Sequence, residues 1–160
     1  MDKFTIKHNE LSAEEFILLW ESVWGQAPSL EQTKLAMEHT LFRVSVFDED
    51  KIVAMARVIG DMGLCYYIKD VVVKPEYQGK GIGRVLINEL FNYINDNGIK
   101  DTYISVELCA KPDKIPFYKK FEFDFSLIMV SKESAEKAIA AAKSVSEIQE
   151  VVGGIVEIPE

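Results

Sequence analysis

Asp70-Val71-Val72-Val73-Lys74-Pro75-Glu76-Tyr77-Gln78-Gly79-Lys80-Gly81-Ile82-Gly83-Arg84 joins the end of a β-rich run to the start of a helical pattern through a glycine-rich loop. Three glycines at alternate positions let successive amides face one point with no Cβ in the way. The helix that follows adds its partial positive end and its unpaired N–H groups. Lys80 and Arg84 place positive charge beside that point, so the segment reads as an anion site able to seat a pyrophosphate.

Two familiar phosphate loops do not fit. A Walker A loop needs Gly-Lys followed by Ser or Thr, and Gly79-Lys80 is followed by Gly81. The dinucleotide fingerprint needs Gly-x-Gly-x-x-Gly directly after a strand, whereas this loop is Gly-x-Gly-x-Gly and stands several residues beyond Val73. A nucleoside triphosphatase and a dinucleotide-binding oxidoreductase both fail on spacing.

Upstream of the loop, Leu64 to Val73 is an apolar run stopped by Lys74-Pro75, the candidate central strand. Phe4 to His8 alternates as a short strand. Capping boxes at Ser12–Glu15 and Ser29–Gln32 open two helices, the first through Phe16, Leu19, Trp20 and Val23, the second to about Thr40. Leu41–Phe47 and Lys51–Ile59 flank the acidic turn Asp48-Glu49-Asp50 as a hairpin. Downstream, Val85, Leu86, Leu90, Tyr93 and Ile94 recur at helical spacing until Asn97-Gly98, and Tyr103–Leu108 returns to strand. A short helix is expected at Pro116–Lys120 and a last strand or bent pair at Phe121–Val130. Ser134–Gln149 has an amphipathic helical pattern and Val151–Val156 reads as an added strand. The expectation is an α/β (α+β) fold with a mixed, mostly antiparallel central sheet flanked by helices. It forms a single domain over residues 1–160, with a core to about 131 and a helix/strand extension over about 132–160.

The chain has 160 residues, 48% hydrophobic and 28% charged, within the range of globular proteins. A net charge of −8 argues against nucleic acid, whose phosphates need basic patches. No apolar run reaches the roughly 20 residues that span a bilayer, and the N-terminus has no secretory pattern, so no membrane partner and a cytoplasmic location are expected. Cys65 and Cys109 are too few for a disulfide framework and lack metal spacing.

Val73-Lys74-Pro75-Glu76-Tyr77-Gln78-Gly79-Lys80-Gly81-Ile82-Gly83 resembles the signature of the GNAT superfamily, Val-x-Pro-x-x-Gln/Arg-Gly-x-Gly-Ile/Leu-Gly leading into a helix. The resemblance implies an acetyltransferase that takes acetyl-CoA as co-substrate. The backbone of Val71, Val72 and Val73 would hold the pantetheine arm. The loop residues Gln78, Gly79, Lys80, Gly81, Ile82, Gly83 and Arg84 would hold the pyrophosphate. Pro116-Phe117-Tyr118-Lys119-Lys120-Phe121-Glu122-Phe123 is similar to a second family segment, Phe-Tyr-x-Lys-x-Gly-Phe, with Glu122 where glycine is usual.

Acetyl transfer to an amine needs a proton acceptor for the ammonium and a proton donor for the departing thiolate. The resemblance assigns the donor to Tyr118. Asp70, a carboxylate in an otherwise apolar strand, is the candidate base, with pairing to Arg57 or Lys69 the competing role. Glu107 is a second candidate of the same kind. Cys109 reads as a small core residue, and His8 and His39 as surface or cap residues; no metal is expected. Phe16, Trp20 and Trp24 form a stripe at helical spacing, and Trp24 or Tyr66 is a candidate substrate contact. The expected partner is a small-molecule amine acceptor, with the amine of a peptide as the alternative. The extension is expected to pack on the core or to form a homodimer. A non-catalytic acyl-CoA sensor is the competing function.

Overall fold

The computed structural model describes residues 3–123, in two compact units, one ending at Leu108 and one starting at Cys109. The first unit carries β1 (Phe4–His8), α1 (Ala13–Trp24), α2 (Leu30–Glu38), β2 (Phe42–Asp48), β3 (Lys51–Gly60), β4 (Cys65–Val73), α3 (Ile82–Asn97) and β5 (Ser105–Leu108). The second carries α4 (Ile115–Tyr118) between 3-10 turns at Pro112–Lys114 and Lys119–Phe121. The expected strand over Phe121–Val130 has its first three residues in the second unit as turn and coil, and its remainder, with the helix and strand of the extension, lies outside the described residues.

The five strands stand in chain order, β1-β2-β3-β4-β5, antiparallel except for the parallel β4–β5 pair, as expected of a mixed, mostly antiparallel sheet. Both expected helix starts are capped. Ser12 Oγ accepts from Glu15 N–H while Glu15 accepts from Ser12 N–H, and Ser29 Oγ accepts from Gln32 N–H. Each cap satisfies amides that the first turn leaves unpaired, an effect of about 1 kcal/mol.

Strand alternation divides the side chains of β3 between two layers. Met55 joins Leu11, Phe16, Leu19, Met37, Phe47, Ile52 and Val72 in the cluster under α1 and α2. The adjacent Ala54 and Ala56, and Val58 beyond them, are buried on the other face. There α3 packs on β2, β3 and β4 through Ile82, Leu86, Ile87, Leu90 and Ile94. Full burial of a side chain of this size contributes about 2 kcal/mol, so α3 is held mainly by its apolar stripe.

The structure differs from the sequence reading in extents. Helix α3 begins at Ile82, inside the glycine run itself, because Gly81 in the left-handed region (φ 83°) serves as its N-cap. Strand β5 is four residues long, and Tyr103 and Ile104 stay out of the ladder. Tyr66 is fully buried and donates its hydroxyl to Met62 O, so it is a core residue and not a substrate contact.

Candidate active site

Strand β4 is the spine of the site. Its antiparallel register with β3 runs Arg57↔Lys69 and then Met55↔Val72, so Ala56 faces two residues, Asp70 and Val71. That is a β-bulge, and it follows from the backbone of Asp70, which has φ 51°. Aspartate is one of the few side chains that enter the left-handed region at modest cost. On the other side, the parallel ladder with β5 ends at Ile68↔Leu108, and Lys69–Val73 run on without a partner in β5. Lys74 N–H bonds Val53 O on the β3 side, so by alternation Val73 and Val71 point their N–H groups to this open edge.

The loop then turns back over the strand. Gln78 Nε2 donates to Val73 O at 3.0 Å, which ties the loop to the end of β4. Gly79 and Gly81 have φ of 75° and 83°, and Gln78, Lys80 and Arg84 are exposed. No side chain caps the α3 N-terminus, so its first amides remain directed at the loop. The residues expected to meet the cofactor lie on β4 (Val71, Val72 and Val73), on the loop from Gln78 to Gly81 and on the first turn of α3 (Ile82, Gly83 and Arg84).

Sequence reading missed the outer brace of this loop. Tyr77 donates to Asp48 Oδ2 at 2.9 Å, and Lys3 Nζ lies 3.1 Å from Asp48 Oδ1. These partners hold the Asp48 carboxyl below the usual carboxylate range, Tyr77 first, and the same bond pushes the Tyr77 phenol up. Lys80 Nζ sits 4.6 Å above the Tyr77 ring. The only signal in the sequence was an acidic hairpin turn and a tyrosine in a loop, with nothing to pair them.

Asp70 has its side chain almost fully enclosed and its Oδ2 joined to Arg57 Nε. Arg57 also donates from Nη1 to Thr40 Oγ1 at 2.9 Å and to Ala36 O at 3.5 Å, and stands over the Phe16 ring. Glu107 accepts from Ser105 Oγ at 2.8 Å and from the Cys65 thiol, which burial and the nearby carboxylate push up. His8 contacts Glu89 at 2.8 Å on the surface, and His39 is the C-cap residue of α2. Trp24 is partly exposed at the end of α1, edge-on to Trp20. Among the described residues no cluster of three His, Cys, Asp or Glu could hold a metal, and no helix is long and apolar enough to cross a membrane.

In the second unit, Tyr118 is 9% exposed and lies edge-on to Phe117 at 5.0 Å and Phe123 at 6.4 Å. Burial pushes its phenol up to about 12. Glu122 adopts φ 65° and ψ 15°, the left-handed conformation a glycine would take freely, so the turn forms despite the substitution.

A bulged strand thus runs through a glycine loop into a helix N-terminus whose first amides carry no side-chain cap. The family model for the acetyltransferase (GNAT) family matches residues 9–123, and this chain belongs to that family. It is 33% identical over 133 residues to the uncharacterized N-acetyltransferase ycf52 of Pyropia yezoensis, covering 76% of this chain and 74% of the relative. It is 30% identical over 97 residues to serotonin N-acetyltransferase 2, chloroplastic, of rice, covering 58% of this chain and 46% of that protein. Among solved structures, SA2161 of Staphylococcus aureus superposes with a TM-score of 0.72 at 26% identity, covering 81% of this chain and 98% of the other. The protein is an acetyltransferase.

Proposed function

We propose that this enzyme transfers the acetyl group of acetyl-CoA to a primary amine of a small molecule by direct attack in a ternary complex. The observation that carries the reading is the bulged β4, which among the described residues has no partner in β5 past Ile68 and leads into the Gly79–Gly83 loop, a strand edge and an anion cradle in line. The strand edge suits the amide-bearing arm of the carrier, and the loop and α3 N-terminus suit its pyrophosphate, with Lys80 and Arg84 adding charge.

The amine nitrogen attacks the thioester carbon, and the carbonyl oxygen becomes an oxyanion that meets the open-edge N–H of Val71, a donor already fixed in place. The ammonium proton passes through water to Asp70, whose Oδ1 makes no hydrogen bond among the described residues. Collapse breaks the carbon–sulfur bond, and Tyr118 delivers a proton to the departing sulfur. A phenol pushed up to about 12 keeps that proton throughout the neutral range. No acyl-enzyme forms.

The acceptor is a small amine rather than a nucleic-acid or membrane partner, and the net charge of −8 favours the approach of cations. Serotonin in the name of the rice relative makes arylalkylamines the first class to assay, and a cytoplasmic setting fits the sparse cysteines. The test is thermal unfolding with acetyl-CoA, CoA, NAD and ATP in parallel, followed by released thiol from an amine library. A midpoint raised by acetyl-CoA and CoA alone supports the cofactor; a rise with NAD or ATP alone refutes it. Binding with no turnover on any amine would instead support an acyl-CoA sensor.

A further inference from the structure

One largely enclosed side chain outside the cofactor set joins the bulge to both of the first two helices. Arg57 leaves β3 directly beside Ala56, the residue that faces the bulge, and its side chain is 13% exposed. Its Nε–H is held by Asp70 Oδ2, whose side chain is 7% exposed. Its Nη1 reaches Thr40 Oγ1 at 2.9 Å and Ala36 O at 3.5 Å, at the C-terminal end of α2. Thr40 Oγ1 in turn donates to Ala36 O at 2.7 Å, and the guanidinium plane stands 5.7 Å from the Phe16 ring of α1. Bulge, α1 and α2 are therefore joined through a single guanidinium.

We infer that Arg57 is a positioning residue for acetyl transfer: by gripping Asp70 in its left-handed conformation against α2, it sets the bulge that aims the Val71 N–H at the thioester carbonyl. The inference rests on the acetyl-CoA reading above. A left-handed Asp is strained relative to an extended one and persists only where its surroundings over-determine it. Among the described residues Asp70 has a strand partner in β3 alone, because the β5 ladder stops at Ile68, so that pairing by itself leaves the bulge under-determined. The guanidinium supplies the missing constraint, and its rigid fork does so in a way that a lysine ammonium, a point charge on a flexible stem, does not reproduce. Attachment to Ala36 O and Thr40 also gives the grip a fixed base, the negative end of the α2 dipole.

The consequence is specific to the acetyl group. The loop that meets the pyrophosphate lies beyond Val73 and does not depend on Arg57, so loosening the bulge weakens recognition of the thioester carbonyl while leaving recognition of the carrier intact. The experiment is calorimetric titration of wild type, Arg57→Lys and Arg57→Gln with acetyl-CoA and with CoA, reading the ratio of the two dissociation constants. One hydrogen bond to the carbonyl corresponds to about 3- to 10-fold preference for acetyl-CoA in the wild type. The expected result is that this ratio falls to about 1 in both variants while the CoA constant changes less than about twofold. Arg57→Lys keeps the buried charge pair, so it serves if Arg57→Gln does not fold. A ratio retained in Arg57→Lys overturns the inference, because charge alone would then suffice; so does a fall in affinity for both ligands together, which is the mark of a general structural role. A wild type that binds both ligands equally overturns it as well. A wild type that binds neither ligand removes the cofactor reading itself, and this inference with it.

Discussion

Replacing Gly79 by alanine separates the geometry of the phosphate loop from the stability of the fold. Gly79 has φ 75°, and a Cβ built on it meets no atom within 4 Å. The whole cost is therefore conformational, about 1–2 kcal/mol for holding an L-residue in the left-handed region. If acetyl-CoA requires that conformation, affinity falls about 5- to 30-fold. Stability should move by less than about 1 kcal/mol, because an exposed loop with open space around the new Cβ relaxes in the free protein and leaves the cost to be met on binding. Titration of Gly79→Ala with acetyl-CoA and with CoA should show equal losses, as the pyrophosphate is common to both, and Gly79→Asn should recover part of the affinity, since asparagine tolerates this region. Unchanged dissociation constants for both ligands in Gly79→Ala would refute the assignment of the Gly79 amide to the anion site.

Three further outcomes follow from particular residues. Gly60→Ala places a Cβ 2.1 Å from Cys65 O, a backbone atom that cannot swing away, so stability should fall by about 3 kcal/mol and the thermal midpoint by about 10 °C; a loss under 1 kcal/mol would contradict this packing. Glu122→Gly relieves a left-handed glutamate and should raise stability by about 1 kcal/mol, measured by urea unfolding, whereas Glu122→Val should lower it. The Tyr118 phenol is raised in the folded state, so its stabilisation is complete below the unfolded value near 10 and is lost as pH rises towards about 12. Wild type should then lose about 1.4 kcal/mol more than Tyr118→Phe between pH 8 and pH 11, and equal losses would show that the phenol is not buried in solution.

Much of the fold was legible because local signals agreed with each other. Two capping boxes, an acidic hairpin turn and a proline stop each have a cause within a few residues, and those boundaries were read to within a few positions. The glycine loop was legible for the same reason. Asp70 was marked by chemistry alone, as a charge in an apolar strand, but its bulge shows only in the register with β3, where Ala56 spans two residues. Thr40 and Asp48 gave no sign, since their partners Arg57 and Tyr77 lie 17 and 29 residues away and meet only when the sheet forms. Tyr66 was misread because an aromatic residue in a strand looks the same from sequence whether it lines a pocket or fills the interior.

The start of α3 leaves almost no distance between ligand and interior. Gly81 belongs to the glycine loop, and Ile82, the next residue, is 2% exposed beneath the helix. A truncation such as Ile82→Ala would therefore tilt the first amides of α3, which the proposed pyrophosphate site uses, as well as open a cavity, and an activity screen would score it as a binding defect. Conversely, a pyrophosphate bound as proposed would press on the same turn, so ligand occupancy should be readable as slower amide exchange along the buried stripe of α3, as far as Ile94 at the opposite end of the helix.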